Sequence, residues 1–125
     1  MDLYDVRIVT ADVDQLARFY GQVTGITVAR LDPDYAELRT ASGVVAISAQ
    51  RKVDARSPGA ATPAANRSAI LDFRVADVDR ERARLDGMVG EIVLEPTDQP
   101  WGNRALMFRD PDGNLINFFH SIRRR

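Results

Sequence analysis

The stretch "VADVD" at Val75–Asp79 repeats "TADVD" at Thr10–Asp14, 65 positions earlier. In both copies an alternating apolar run leads in, an aspartate stands where a helix should begin, and a glycine follows about one helix length later. Asp12 and Asp77 are placed to accept from the free backbone N–H groups of a first helical turn. After Asp12, Gln15 takes the capping-box position, and Val13, Leu16, Ala17, Tyr20 and Val23 recur at helical spacing up to Gly25, a natural left-handed terminator. After Asp77 the pattern predicts a helix reaching Asp86 and ended by Gly87.

Working outward, "DLYDVRIVT" before the first junction and Arg67–Val75 before the second both read as strands. Behind the first helix the pattern predicts strands at Ile26–Leu31, Tyr35–Thr40 and Gly43–Ala49, separated by "DPD" and "ASG" turns. Behind the second it predicts strands at Val89–Glu95, Asn103–Arg109 and Asn114–His120, the last two joined by "DPDG" at Asp110–Gly113. An offset of 65 aligns Ala11, Asp12, Val13, Asp14 and Gly25 with Ala76, Asp77, Val78, Asp79 and Gly90; an offset of 70 sets Arg39 on Arg109 and Gly43 on Gly113. The expected fold is α+β: a duplicated βαβββ unit in one domain, with module one at 1–49, a connector at 50–66 and module two at 67–125. The connector, "QRKVDARSPGAATPAAN", lacks periodicity and reads as a linker in preference to a lid.

Composition excludes several functions. Seventeen basic and eighteen acidic side chains leave a net charge of -1, so no broad field recruits nucleic acid or an anionic membrane. The only basic run, Arg123–Arg125, reads as a solvated tail. The chain has no cysteine, which rules out disulfides, thiolate metal sites and cysteine nucleophiles. With no basic-then-apolar leader and no apolar run of about 18 residues, a soluble cytoplasmic protein is expected.

Three stretches, "DVDQLARFYGQVTG" from Asp12, the second "VADVD", and "MFRDPDGNLINFF" from Met107, resemble the vicinal oxygen chelate superfamily, which includes glyoxalase I, bleomycin- and fosfomycin-resistance proteins and extradiol dioxygenases. The resemblance implies paired modules whose strands curve into a cup with helices outside, and a divalent metal held by four strand positions, usually His or Gln, Glu, His and Glu. Those positions map here to Asp5, Ile47, Ile70 and Asn117. None carries the usual ligand, and two are hydrocarbon, so neither a metal nor another cofactor is expected. The sole histidine, His120, lies three residues past Asn117 and should face the other way, as a strand-end or capping residue.

Alternation assigns Val6, Ile8, Leu71, Phe73, Ile116 and Phe118 to the side under the helices. It assigns Asp5, Arg7, Val9, Val45, Ile47, Ile70, Asp72, Arg74, Asn117 and Phe119 to the cup. Trp101, in "DQPWGNRA", reads as a hydrophobic plug at the rim ahead of a stacking wall, with Asn103 and Arg104 as rim polar groups. Two interiors remain open: a greasy cavity with sparse orienting polar groups, or one filled by mutual ion pairs among Asp5, Arg7, Asp72 and Arg74. Ser48 and Ser68 lack a neighbouring base, and the arginines make an Asp5–Asp72 acid–base dyad read as charge compensation, so no catalytic residue is assigned. The leading expectation is a homodimer that sequesters a small organic molecule without metal, in the manner of bleomycin-resistance proteins. Its ligand-binding residues would be Asp5, Arg7, Ile47, Ile70, Asp72, Arg74, Trp101, Asn117 and Phe119. The alternatives are an enzyme of the glyoxalase, dioxygenase or lyase kind with an altered site, and an accessory domain with a filled cup.

Overall fold

The structure, a computed structural model, describes residues 1–123; Arg124 and Arg125 of the basic tail lie outside the described residues. The chain divides into two compact units, Met1–Ala65 and Asn66–Arg125.

The first unit runs β1 (Val6–Thr10), α1 (Val13–Thr24), β2 (Ala29–Asp32), β3 (Tyr35–Arg39), β4 (Val44–Ala49) and α2 (Gln50–Asp54). Its mixed sheet has the order β1-β4-β3-β2, with β1 and β4 parallel and the other pairs antiparallel. The Asp12 carboxylate accepts from Gln15 N at 3.0 Å and starts α1; Gly25, at φ 71, ends it by donating to Gly21 O. Leu16, Tyr20 and Val23 of α1 are fully enclosed, as are Ala36, Leu38 and Ile47 of the sheet that α1 crosses. The aliphatic ones among them, Leu16, Val23, Leu38 and Ile47, each contribute about 1.5–3 kcal/mol by leaving water. Arg30, which shares a face with Ala36, pairs with Asp14 of α1, so the helix lies on the Ala36 face.

The second unit runs β5 (Ile70–Arg74), α3 (Val78–Arg84), β6 (Ile92–Asp98), β7 (Asn103–Arg109) and β8 (Leu115–Ser121), in the matching order β5-β8-β7-β6. The duplicated βαβββ architecture is therefore present. At seven residues α3 is too short to hold itself together. Asp77 accepts from Arg80 N at 3.1 Å, and His120 Nδ1 accepts from Val78 N at 2.9 Å, which covers two of the helix's free donors. Arg104 bridges Asp79 and Asp98 on this same helix side and is not a rim group. Phe108 and Phe118 meet edge to face in the core, 5.0 Å apart.

Three expectations need correction. Residues 26–28 do not enter β2: they lie against α1 at Gly21, whose added Cβ would stand 3.6 Å from both Ile26 O and Val28 Cγ2. Strand β6 begins three residues later than expected and passes through Pro96, which an edge strand tolerates where its register slips between Leu94 and Thr97. The connector opens with α2, which carries no side-chain cap; Arg51 pairs with Asp34 and Lys52 with Asp32, holding the helix to the β2–β3 turn.

The hairpin loops differ by one residue. Thr40 N donates to Gly43 O, whereas Asp110 N donates to Asn114 O. The longer loop is built on the buried Asp110 carboxylate, which accepts from Asp112 N, Asn114 N and Asn114 Nδ2 at 2.8–2.9 Å. Replacing Asp110 with Ala strands buried donors and should cost about 2–3 kcal/mol, read as a lower urea midpoint. His120→Ala should cost about 1 kcal/mol in the same measurement, as the loss of a helix cap does.

Candidate functional site

A strand residue faces one side of its sheet or the other, so the register decides which side chains share a surface. In the second unit Asp72 pairs with Asn117 and Asn117 with Met107; Arg74 pairs with Phe119 and Phe119 with Ala105. Ile70, Asp72, Arg74, Asn117 and Phe119 therefore share the face away from α3, joined by Met107. Asn117 Nδ2 donates to Asp72 Oδ1 at 3.0 Å, and Asn117 Oδ1 is shielded from solvent with no donor among the described residues. Ile70 is 46% exposed at the edge of this face.

In the first unit Arg7 pairs with Ala46 and Ala46 with Glu37. The face away from α1 thus carries Arg7, Val9, Tyr35, Glu37, Arg39, Ala46 and Ser48. Asp5 stands one residue before β1, and its charge and that of Arg7 both act on the Tyr35 phenol. Ile47, expected on this face, stands opposite Ile8 and Ala36 and is fully buried in the core; Val45 lies on the same side. The cause is the shorter first hairpin. Beyond the loops the module offset is 71, which makes Ala46 the counterpart of Asn117 and Ile47 that of Phe118.

Glu37, Tyr35 and Arg39 were not anticipated as site residues, although their spacing of two in "YAELR" places them on one face. The buried Glu37 carboxylate accepts from Arg39 Nε and one of its terminal nitrogens at 2.9 and 2.6 Å, and from the Tyr35 hydroxyl at 3.0 Å. The Arg39 hydrogen bond, ahead of Tyr35, holds the Glu37 carboxyl below its ordinary pKa; desolvation, then Glu37, pushes the Tyr35 phenol up.

Two further placements differ from expectation. Trp101 is 60% exposed on the β6–β7 turn and is not a plug. Its carbonyl accepts from Arg123, whose side chain fills the space a Cβ at Gly102 would need. Among the described residues, and in place of the ion-paired alternative, Asp5, Arg7, Asp72 and Arg74 join no salt bridge within their own units.

The donor set does not suit a divalent metal. Of the four mapped positions, Ile70 is hydrocarbon, and so is the second position of the first module whether read as Ile47 or, by register, as Ala46; Asp5 is the one carboxylate and Asn117 the one amide. Asp72 with Asn117 offers one carboxylate and one amide oxygen, which leaves most of a coordination shell to water. Among the described residues no group of three or more His, Asp or Glu is placed to hold an ion.

In fold the chain is similar to a glyoxalase/bleomycin resistance protein/dioxygenase family enzyme from Burkholderia phytofirmans PsJN, at TM-score 0.84 and 20% identity over 97% of this chain and 99% of that one. It is similar also to a protein of unknown function from Agrobacterium tumefaciens str. C58, at TM-score 0.82 and 24% identity over 97% and 94%. A third is a glyoxalase/bleomycin resistance protein/dioxygenase from Nocardioides, at TM-score 0.80 and 21% identity over 98% and 84%. At these identities the likeness concerns the fold alone. No curated protein matches the chain. The family model of the Glyoxalase/Bleomycin resistance protein/Dioxygenase superfamily matches residues 3–118. With the duplicated βαβββ units and the recurring cap, that match places the chain in this superfamily.

Proposed function

We propose that the protein binds a small organic molecule on the helix-free faces of its sheets and sequesters it without a chelated metal. The observation that carries this reading is the second unit's face, where Asp72, Arg74 and Asn117 stand among Ile70, Met107 and Phe119, and where among the described residues neither charge joins a salt bridge. Sparse polar groups in an apolar setting are what a small ligand requires for orientation. Sequestration fits better than turnover, because Glu37 has both oxygens occupied and is held ionised, whereas a general acid or base needs a free oxygen and a pKa near the working pH. The same reading has the chain as a homodimer. All four edge strands carry an exposed large apolar side chain, Val6, Leu31, Ile70 or Val93, and such edges favour association.

Elemental analysis of protein purified without chelator should find divalent metal far below one equivalent. A panel of planar organic compounds should contain members that change Trp101 fluorescence saturably and are recovered chemically unchanged. Stoichiometric metal, or conversion of a bound compound, would overturn the proposal.

The Glu37 cluster makes a separate prediction. Its folded pKa lies below the ordinary 4.5, so its stabilising contribution is complete above that value and is lost as pH falls through the lower folded value. Urea midpoints measured from pH 7 to pH 3 should therefore fall less steeply for Glu37→Gln than for the natural protein.

A further inference from the structure

Asn117 Oδ1 is shielded from solvent and has no donor among the described residues, while its amide nitrogen is committed to Asp72. The amide orientation follows from that bond, since turning it over would set oxygen against carboxylate. Buried acceptors nearly always find a donor, so an orphan at a candidate site asks what completes it. Asp72 lies on the neighbouring strand in direct register, exposed, with one oxygen taken by Asn117 and the other bonded to no protein group among the described residues. The pair thus presents two unfilled oxygen acceptors, one of them anionic, on adjacent strands. Around them on this face stand the apolar Ile70, Met107 and Phe119, together with the cation of Arg74.

The geometry points to a protonated primary amine on an apolar body as the ligand class, an inference that rests on the ligand-binding reading above. An ammonium has three donors and no acceptor, so it satisfies Asp72 and Asn117 together where a hydroxyl, with one donor, serves only one of them. A charge-assisted bond to Asp72 adds strength. Met107, unbranched and opposite Asn117, is the neighbour best able to move and admit the group. Arg74 lies two residues along β5 on the same face, which is why a carboxylate ligand is the instructive opposite case.

The test uses the full chain, labelled with nitrogen-15, and three size-matched probes: 2-phenylethylamine, 2-phenylethanol and 3-phenylpropionate at pH 7. Expected is saturable shifting of the β5 and β8 amides and of the Asn117 side-chain NH₂, with the amine bound at least about tenfold more tightly than the alcohol and the carboxylate weakest. Asp72→Asn keeps the shape and should lower amine affinity about tenfold or more without changing that of the alcohol. Asn117→Leu removes the orphaned acceptor, so it should keep or raise the urea midpoint while losing the amine preference. Equal or tighter binding of the alcohol or carboxylate at these strands would overturn the amine assignment and leave the ligand-binding reading standing. No binding of any probe at β5 and β8, or amine affinity unchanged in Asp72→Asn, would also overturn it; the ligand-binding reading itself is decided separately, by silence of the wider panel, by stoichiometric metal or by conversion of a bound compound.

Discussion

The pleat of a β-strand gives each residue one of two faces, and the length of a hairpin loop fixes which one it receives. That constraint organises both units. Thr40 closes its loop on Gly43, and Asp110 closes on Asn114 with one residue more. The extra residue needs a scaffold, which the buried Asp110 carboxylate supplies through three short bonds to residues 112 and 114. One residue of loop therefore separates an amide at Asn117 from a methyl at Ala46 in otherwise corresponding places. It also sends Ile47 into the core opposite Ala36, as Phe118 goes opposite Leu106.

The two units have diverged around a shared plan. Both begin their helix with an aspartate accepting from the third residue on, yet α1 has a full apolar stripe and α3 is two turns long. A helix that short gains little from its own hydrogen bonds, so tertiary partners hold it: His120 at its first N–H, Arg104 on Asp79, and the buried Val78 and Leu85 at its two ends. The faces away from the helices have diverged as well. In the first unit the buried acid is neutralised locally, Glu37 by Arg39 and Tyr35. In the second, Asp72 and Asn117 satisfy each other in one bond only, leaving acceptors free. A closed polar cluster stabilises a fold; an incomplete one is a feature to be completed by something else.

Much of this was legible in the residues. The repeated "ADVD" specified the start of both helices and the duplication, and Gly25 the end of α1, because a cap and a terminator act locally and need no knowledge of distant partners; α3 stops at Arg84 on Leu85, short of the expected end at Asp86 and Gly87. Alternation placed Asp72, Arg74, Asn117 and Phe119 on one face and His120 on the other, as the β5–β8 register shows. What the residues concealed was non-local. The offset of 70 taken at the glycines hides the added residue of the second loop, and a slip of one inverted Val45 and Ile47. Helix α2 has no cap or apolar period and exists through pairs to Asp32 and Asp34. The average habit of a tryptophan is burial, whereas a tight turn at Gly102, packed by Arg123, leaves Trp101 exposed. Glu37 was passed over because a lone glutamate in a strand carries no signal until Tyr35 and Arg39 are seen beside it.

Facial parity is open to direct measurement through the side chain of Ile47. In a spectrum of nuclear Overhauser effects from methyl-labelled protein, the Ile47 methyls should show strong cross-peaks to Ile8 and to the Ala36 methyl, their ladder neighbours on the helix side. Cross-peaks from Ile47 to the side chains of Arg7 and Glu37 in their place would put Ile47 on the opposite surface and contradict the account.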